Sequence, residues 1–255
     1  MTTATLTAPG WTDKKRYLWL LGILVMGMPL YGYGLYLLSG WWIFFWAGPL
    51  IVYGLLPVAD LLVGEDDSNP PDEAMPALTK ERYYRYVVYA AIPVQWAGVI
   101  LGTWVATTQH LHWYEWLGML VTVGVTSGLA INVGHELGHQ TDPLERWLAK
   151  FALAPVLYGH FYVEHNRGHH VRVATFEDPA SSRFGESFWE FLPRCVAGSI
   201  ASASDVRTAL WISAMGGLAN PVILQLSAIR RLNAMPAAGH EARSDAADSL
   251  ADLTP

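Results

Sequence analysis

Residues Trp116–Gly134 read WLGMLVTVGVTSGLAINVG and run directly into His135-Glu136-Leu137-Gly138-His139. The first part is uncharged and close to the roughly 20 residues that cross a hydrocarbon core of about 30 Å as a helix. Without water to serve its backbone, such a segment has to satisfy every N–H and C=O internally, which selects the helix. The second part puts two imidazoles four residues apart at the end of that helix, where both can share one face.

Further apolar runs of spanning length precede it at Tyr17–Leu38, Trp41–Val63 and Tyr86–Val105. The whole chain of 255 residues is 52% hydrophobic and 15% charged, against about a quarter charged in soluble domains. These features predict an all-α integral membrane protein, a bundle of about four spanning helices. Tyr17–Leu38 is too long for a signal-peptide core, and no small-residue cleavage site follows it, so the N-terminus is not expected to be a cleaved leader. Basic residues set the expected orientation: Lys14, Lys15 and Arg16 precede the first span, and Lys80, Arg82 and Arg85 follow the second. Thr107–Glu115, between spans three and four, contains no Lys or Arg. The positive-inside rule places the N-terminus and the Gly64–Arg85 connector in the cytoplasm, and Trp41, Trp42, Trp113 and Trp116 at the outer interface. The fourth span then delivers His135 to the cytoplasmic side of the inner membrane. Trp147–Tyr158 is apolar but too short to cross, which predicts a re-entrant or interfacial helix and keeps the following residues on that side. The Gly64–Arg85 connector carries no chemistry in this reading.

The second histidine cluster is Glu164-His165-Asn166-Arg167-Gly168-His169-His170. His165 and His169 repeat the spacing of four, and His170 adds a donor about a quarter-turn round from His169. Together with His135 and His139 they form a candidate metal site, because neutral imidazole suits iron, zinc, copper and nickel. His110 and His112 fall in the outer loop and His240 in the C-terminal tail; His160, five residues before His165, reads as structural or as an outer donor. H-E-x-x-H is also the zinc-protease pattern, with Glu136 as base, but a catalytic zinc takes three protein ligands, and three more histidines exceed its needs. Two metals fit better, with Glu136, Glu164 and Asp178 as carboxylates that orient imidazoles. The net charge of −6, with no basic patch among exposed aromatics, predicts no nucleic-acid partner. Cys195 is the only cysteine, which excludes a disulfide or a cysteine-bound cluster within one chain.

The run from Glu164 through His170, followed by Val173-Ala174-Thr175 and Asp178-Pro179-Ala180-Ser181, together with His135-Glu136-Leu137-Gly138-His139, resembles the membrane alkane hydroxylases. These belong to a histidine-box group with the xylene monooxygenases and fatty-acid desaturases. Asp13 to Trp19, Gly64-Glu65-Asp66, Asn69-Pro70-Pro71 and Lys80 to Arg85 extend the likeness over roughly residues 11 to 200. The resemblance implies a non-haem di-iron monooxygenase that places one atom of dioxygen on the terminal carbon of an alkane. His135, His139, His165, His169 and His170 would ligate iron. Electrons would arrive from rubredoxin through its reductase, and the alkane would enter from the lipid bilayer.

The group also carries a third box of H-x-x-H-H type and a further histidine, for which nothing after His170 stands in. The likeness fades near Cys195–Ala203, so residues 1–203 are read as the hydroxylase-like domain and residues 204–255 as a divergent, partly disordered tail. A truncated or frame-shifted form of a longer parent is the expectation, with the second iron poorly held and hydroxylation by this chain alone absent. The alternatives from other classes are an intramembrane zinc metalloprotease and a metal-binding remnant without turnover.

Overall fold

A computed structural model describes residues 12–66 and 69–202, with backbone alone at His160 and Ser202. All regular structure among them is helical. Helices α1 (Leu21–Met26) and α2 (Met28–Ser39) follow a 3-10 turn at Arg16–Leu20. Next come α3 (Trp42–Val63), α4 (Met75–Lys80), α5 (Arg82–Thr108) and α6 (Trp113–Gly138). The series closes with α7 (Pro143–Leu153), α8 (His160–Glu164) and α9 (Phe188–Ser202). Three of these, α3, α5 and α6, are long and apolar enough to cross a membrane, and a fourth span exists if α1 and α2 count as one.

The first expected span is not straight. The segments Arg16–Met26 and Met28–Ser39 meet at 68°. Pro29 supplies no N–H, which removes a backbone bond where Gly27 joins the two helices. The third and fourth spans are longer than Tyr86–Val105 and Trp116–Gly134, and α6 continues past Gly134 to carry His135 in its last turn. The α3 span begins as a 3-10 segment, Trp42–Trp46, and passes through a wide turn at Ile51–Leu55. Thr122 of α6 serves the irregular backbone between them: its Oγ1 accepts from Gly48 N at 3.1 Å and donates to Phe45 O at 2.7 Å. A side-chain hydroxyl thus replaces the ladder bonds that lipid cannot supply. Small residues let these helices approach; a Cβ on Gly48 would sit 2.8 Å from the Thr122 backbone, and one on Gly118 2.6 Å from the Trp46 ring.

Polar contacts sort the loops into two ends. Lys15 pairs with Asp66, Arg16 with Glu81 at 3.7 Å, and Tyr83 donates to Arg16 O at 2.9 Å. Arg85 and Tyr89 both bind the buried carboxylate of Glu145 on α7, at 3.0 and 2.6 Å. The segment before the first span, the 64–85 connector and α7 therefore share one end. At the other end Trp46 Nε1 donates to Tyr114 O at 3.1 Å, and Trp41, Trp42, Trp113 and Trp116 are exposed. His112, expected there without chemistry, caps α6 in a reciprocal capping box with Glu115.

The short helix α7 starts earlier than Trp147, at Pro143, with Asp142 accepting from Leu144 N at 2.8 Å as its cap. Its small face packs on α6, where a Cβ on Gly134 would lie 2.7 Å from Leu153 Cγ. Gln95 and Trp96 of α5 donate to the carbonyls of Ala152 and Phe151, each at 3.0 Å, and so occupy its last turn.

Candidate metal centre

The C-terminal turn of α6 presents His135 and His139, and the chain returns past α7 to lay α8 beside them. From Glu164 the helix continues through a single wide turn, His165–His169, before ending at His170–Arg172. That turn changes the expected pairing. In a regular helix residues five apart lie about 140° apart around the axis, but an inserted i→i+5 turn swings them to one side. His165 Nε2 and His170 Nε2 accordingly approach to 3.0 Å. His169, expected to share the His165 face, instead directs Nδ1 at Asp178 Oδ2, 2.8 Å away, although its ring stays stacked on His165 at 5.4 Å.

The Nε2 atoms of four histidines form a chain. His135 to His139 is 3.1 Å, His139 to His165 is 3.1 Å, and His165 to His170 is 3.0 Å. Nitrogen atoms of His135, His139 and His165 all lie within 4.8 Å of one another. Hydrogen bonds alone serve this chain poorly. Alternating donors and acceptors along it would leave one inner Nε2–H shared between two neighbours, and four neutral rings protonated on Nδ1 would aim four lone pairs together. A cation resolves both problems. Two imidazole nitrogens bound at roughly 2.1 Å to one metal, at 90–109°, stand about 3.0–3.4 Å apart, which matches the observed separations. The donor set therefore fits a metal of the imidazole-binding class.

Electrostatics favour the same state. Burial, then the neighbouring His135 and His170, hold His139 below the ordinary histidine range, and the same causes push His165 down to about 4. These rings are neutral and offer lone pairs. Burial pulls the Asp178 carboxyl upward, but donors from Ser181, Ala180 and His169 outweigh it and leave it below the usual carboxylate range. The ionised carboxylate, with Ser181 Oγ at 2.5 Å and Ala180 N at 3.0 Å, accepts from His169 Nδ1–H and leaves His169 Nε2 as the lone-pair end.

The other two carboxylates behave differently. Glu136 is exposed and accepts from Gln140 Nε2 at 3.3 Å, rather than bonding to a ring of the cluster. Glu164 is buried beneath the wide turn, where Arg172 Nη2 donates to its Oε1 at 2.9 Å. Its Oε2 has no hydrogen-bond partner among the described residues. Gly168 is buried against this carboxylate, and a Cβ there would overlap it. Arg172 and Gly168 were not singled out in the sequence; Arg172 at i+8 and Gly168 at i+4 from Glu164 were the available signals. Nor was Phe161, one turn before His165, whose ring stacks on it at 4.8 Å. The His160 side chain, His240 and the 204–255 tail lie outside what the structure describes.

Residues 111–235 match the family described as fatty acid desaturase. Two curated alkane 1-monooxygenases align with the chain over 197 residues, 77% of its length: that of Ectopseudomonas oleovorans at 46% identity and that of Pseudomonas putida at 43%. Over most of its length this chain is similar to the alkane 1-monooxygenases. Alkane 1-monooxygenase 1 of Alcanivorax borkumensis agrees, at 43% identity over 194 residues, 76% of this chain and 48% of that protein. The likeness to alkane hydroxylases carried by the motifs thus extends over about three quarters of the chain. The family match runs on to residue 235, past the Cys195–Ala203 stretch where the motif likeness fades. The chain spans about half the length of the curated alkane 1-monooxygenases it matches, 49% of the first two. The zinc-protease alternative gains no support from these relatives.

Proposed function

We propose that this chain is the iron-binding membrane portion of an alkane monooxygenase, with residues 1–203 as its hydroxylase-like domain. The observation that carries the reading is the convergence of His135, His139, His165 and His170 through Nε2 at the end of the membrane helices. Five histidines, these four and His169, are the proposed iron ligands, with Asp178 orienting His169. Glu164 acts on the site through the turn that carries His165 and His170, and Glu136 serves at most as a remote outer partner.

Bound iron supplies the redox chemistry that dioxygen needs to attack an unactivated C–H bond. The proposed reaction joins one oxygen atom to the terminal carbon of an alkane and reduces the other to water, consuming two electrons and two protons. Rubredoxin and its reductase are the proposed electron source, which accords with a chain holding one cysteine. The spans expose apolar side chains such as Leu61, Leu62 and Val63, a surface suited to lipid from which an alkane can partition toward the histidines. The proposed location is the cytoplasmic membrane with the histidines on the cytoplasmic side.

Metal analysis after iron-replete expression tests the metal assignment. Iron is expected to copurify and to be lost in His135→Ala and His165→Ala; one zinc per chain with iron at background would refute it. The hydroxylation assignment belongs to the whole protein. For this chain, supplied with rubredoxin, reductase and reduced nicotinamide, the expectation is iron at less than two per chain and no terminal alcohol from a medium-chain alkane.

A further inference from the structure

Adjoining the histidines, and sharing His139 as a wall, a cleft of about 390 Å³ opens between the end of α6, α7 and the wide turn after α8. Its charged lining is all of one sign: Arg146 and Lys150 from α7 and Arg167 from the turn. His139, Gln140, Asn166 and Tyr162 complete its polar wall, and no Asp or Glu is among its lining residues. Arg146 spends one donor, Nε, on Gln140 O at 3.1 Å, which holds its guanidinium at the cleft with the remaining donors to offer. The nearest buried acid on α7, Glu145, is already committed to Arg85 and Tyr89 and does not neutralise the cleft.

The same helix points apolar side chains outward. Leu144, Trp147 and Phe151, spaced by three and four, are 59%, 53% and 42% exposed. Lys150 joins the two surfaces, with its ammonium 4.5 Å from the Trp147 ring centroid and 5.3 Å from that of Tyr162. An apolar stripe, an aromatic at its edge and a cationic hollow behind it follow the order of acyl chains, interface and headgroup in a lipid leaflet.

We propose that this cleft binds the phosphate of one anionic membrane phospholipid, its acyl chains lying along the Leu144–Trp147–Phe151 stripe of α7. Guanidinium pairs suit phosphate oxygens in bidentate fashion, and Lys150 adds a point charge. Inorganic phosphate shares the headgroup chemistry but would gain nothing from the stripe. The proposal rests on the membrane setting of the chain; although the cleft shares His139 with the metal site, its test reads lipid binding rather than iron or turnover, so its failure is distinguishable from failure of the oxygenase reading.

Native mass spectrometry of the delipidated full chain in detergent, titrated with dioleoyl phosphatidylglycerol, dioleoyl phosphatidylcholine or inorganic phosphate, reads the site. One phosphatidylglycerol is expected to bind ahead of phosphatidylcholine. Each of Arg146→Gln, Lys150→Gln and Arg167→Gln should weaken it roughly fivefold, and the triple variant on the order of 100-fold. Arg82→Gln, a basic residue near the same end but outside the cleft, should leave it unchanged. If the triple variant fails to fold, as judged by helicity, the single variants carry the test. Equal retention of the two lipids, wild-type binding by all three single variants, or inorganic phosphate competing at the lipid's own concentration would overturn the proposal. So would poly-glutamate displacing the lipid at lower concentration, which would assign the cleft to an acidic protein partner.

Discussion

Replacing Gly168 by alanine tests whether the wide turn at His165–His169 creates the histidine geometry. The added methyl would overlap the carboxylate of Glu164, which is buried and tied to Arg172 at 2.9 Å. Two escapes exist. The carboxylate can swing away, losing a charged hydrogen bond of about 1.5–3 kcal/mol; the lower half applies, because the Arg172 side chain is 31% exposed. Alternatively the turn can shift, at the roughly 1–3 kcal/mol typical of overpacking, and His170 then rotates away from His165. Alanine returns about 0.5–1 kcal/mol in helix propensity, so the net loss is about 0.5–2 kcal/mol. That corresponds to a fall in Tm of about 1–8 °C for a chain of this size. Cobalt(II) titration against a chelator, followed by its visible absorption, reads the site itself, and affinity should drop on the order of tenfold or more. Gly128→Ala on α6, where a Cβ meets nothing within 4 Å, is the matched control. Adding Glu164→Asp to Gly168→Ala draws the carboxylate back by one methylene and should recover part of both losses. If Gly168→Ala matches Gly128→Ala in Tm and in cobalt affinity, the turn does not set the ligand geometry.

Asp178→Ala should lower metal affinity by about 10–100-fold through the freed His169 ring, whereas Asp178→Asn, which still accepts from Nδ1–H, should lose less; equal affinity for all three proteins in the cobalt titration would discount Asp178. Cys195, half-buried on α9, should resist a membrane-impermeant thiol reagent in intact cells and react once the membrane is opened; labelling in intact cells would place the segment after α7 on the outer side. The loop closed by Arg194, which binds Glu186 at 2.6 Å and the carbonyls of Pro179 and Ser181, should depend on pH. Hydrogen bonds from Arg194 and then Arg183 bring the Glu186 carboxyl from 4.5 down to about 2. A depressed folded value stabilises above the unfolded one, so hydrogen-exchange protection at 179–194 should be full above pH 4.5 and decline as pH falls toward 2; protection unchanged across that window would dismiss the clamp.

Much of this protein was legible one residue at a time. Spanning helices declare themselves by length and lack of charge, because lipid imposes the same demand on every backbone group it surrounds. Matched histidine spacing at the end of such a helix also points to a metal without any knowledge of packing. Local pattern misled where one residue of register mattered. Spacing of four paired His165 with His169, but the inserted turn, accommodated by Gly168 lying on the Glu164 carboxylate, pairs His165 with His170 and frees His169 for Asp178. The bend at Gly27, the service of Thr122 to the α3 backbone and the docking of α7 through Gln95, Trp96 and Glu145 are likewise contacts between distant segments. Composition and periodicity report what each segment needs from its solvent. Which histidine nitrogens meet, and which carboxylate orients them, depends on how helices far apart in sequence pack, and that was decided only in the folded chain.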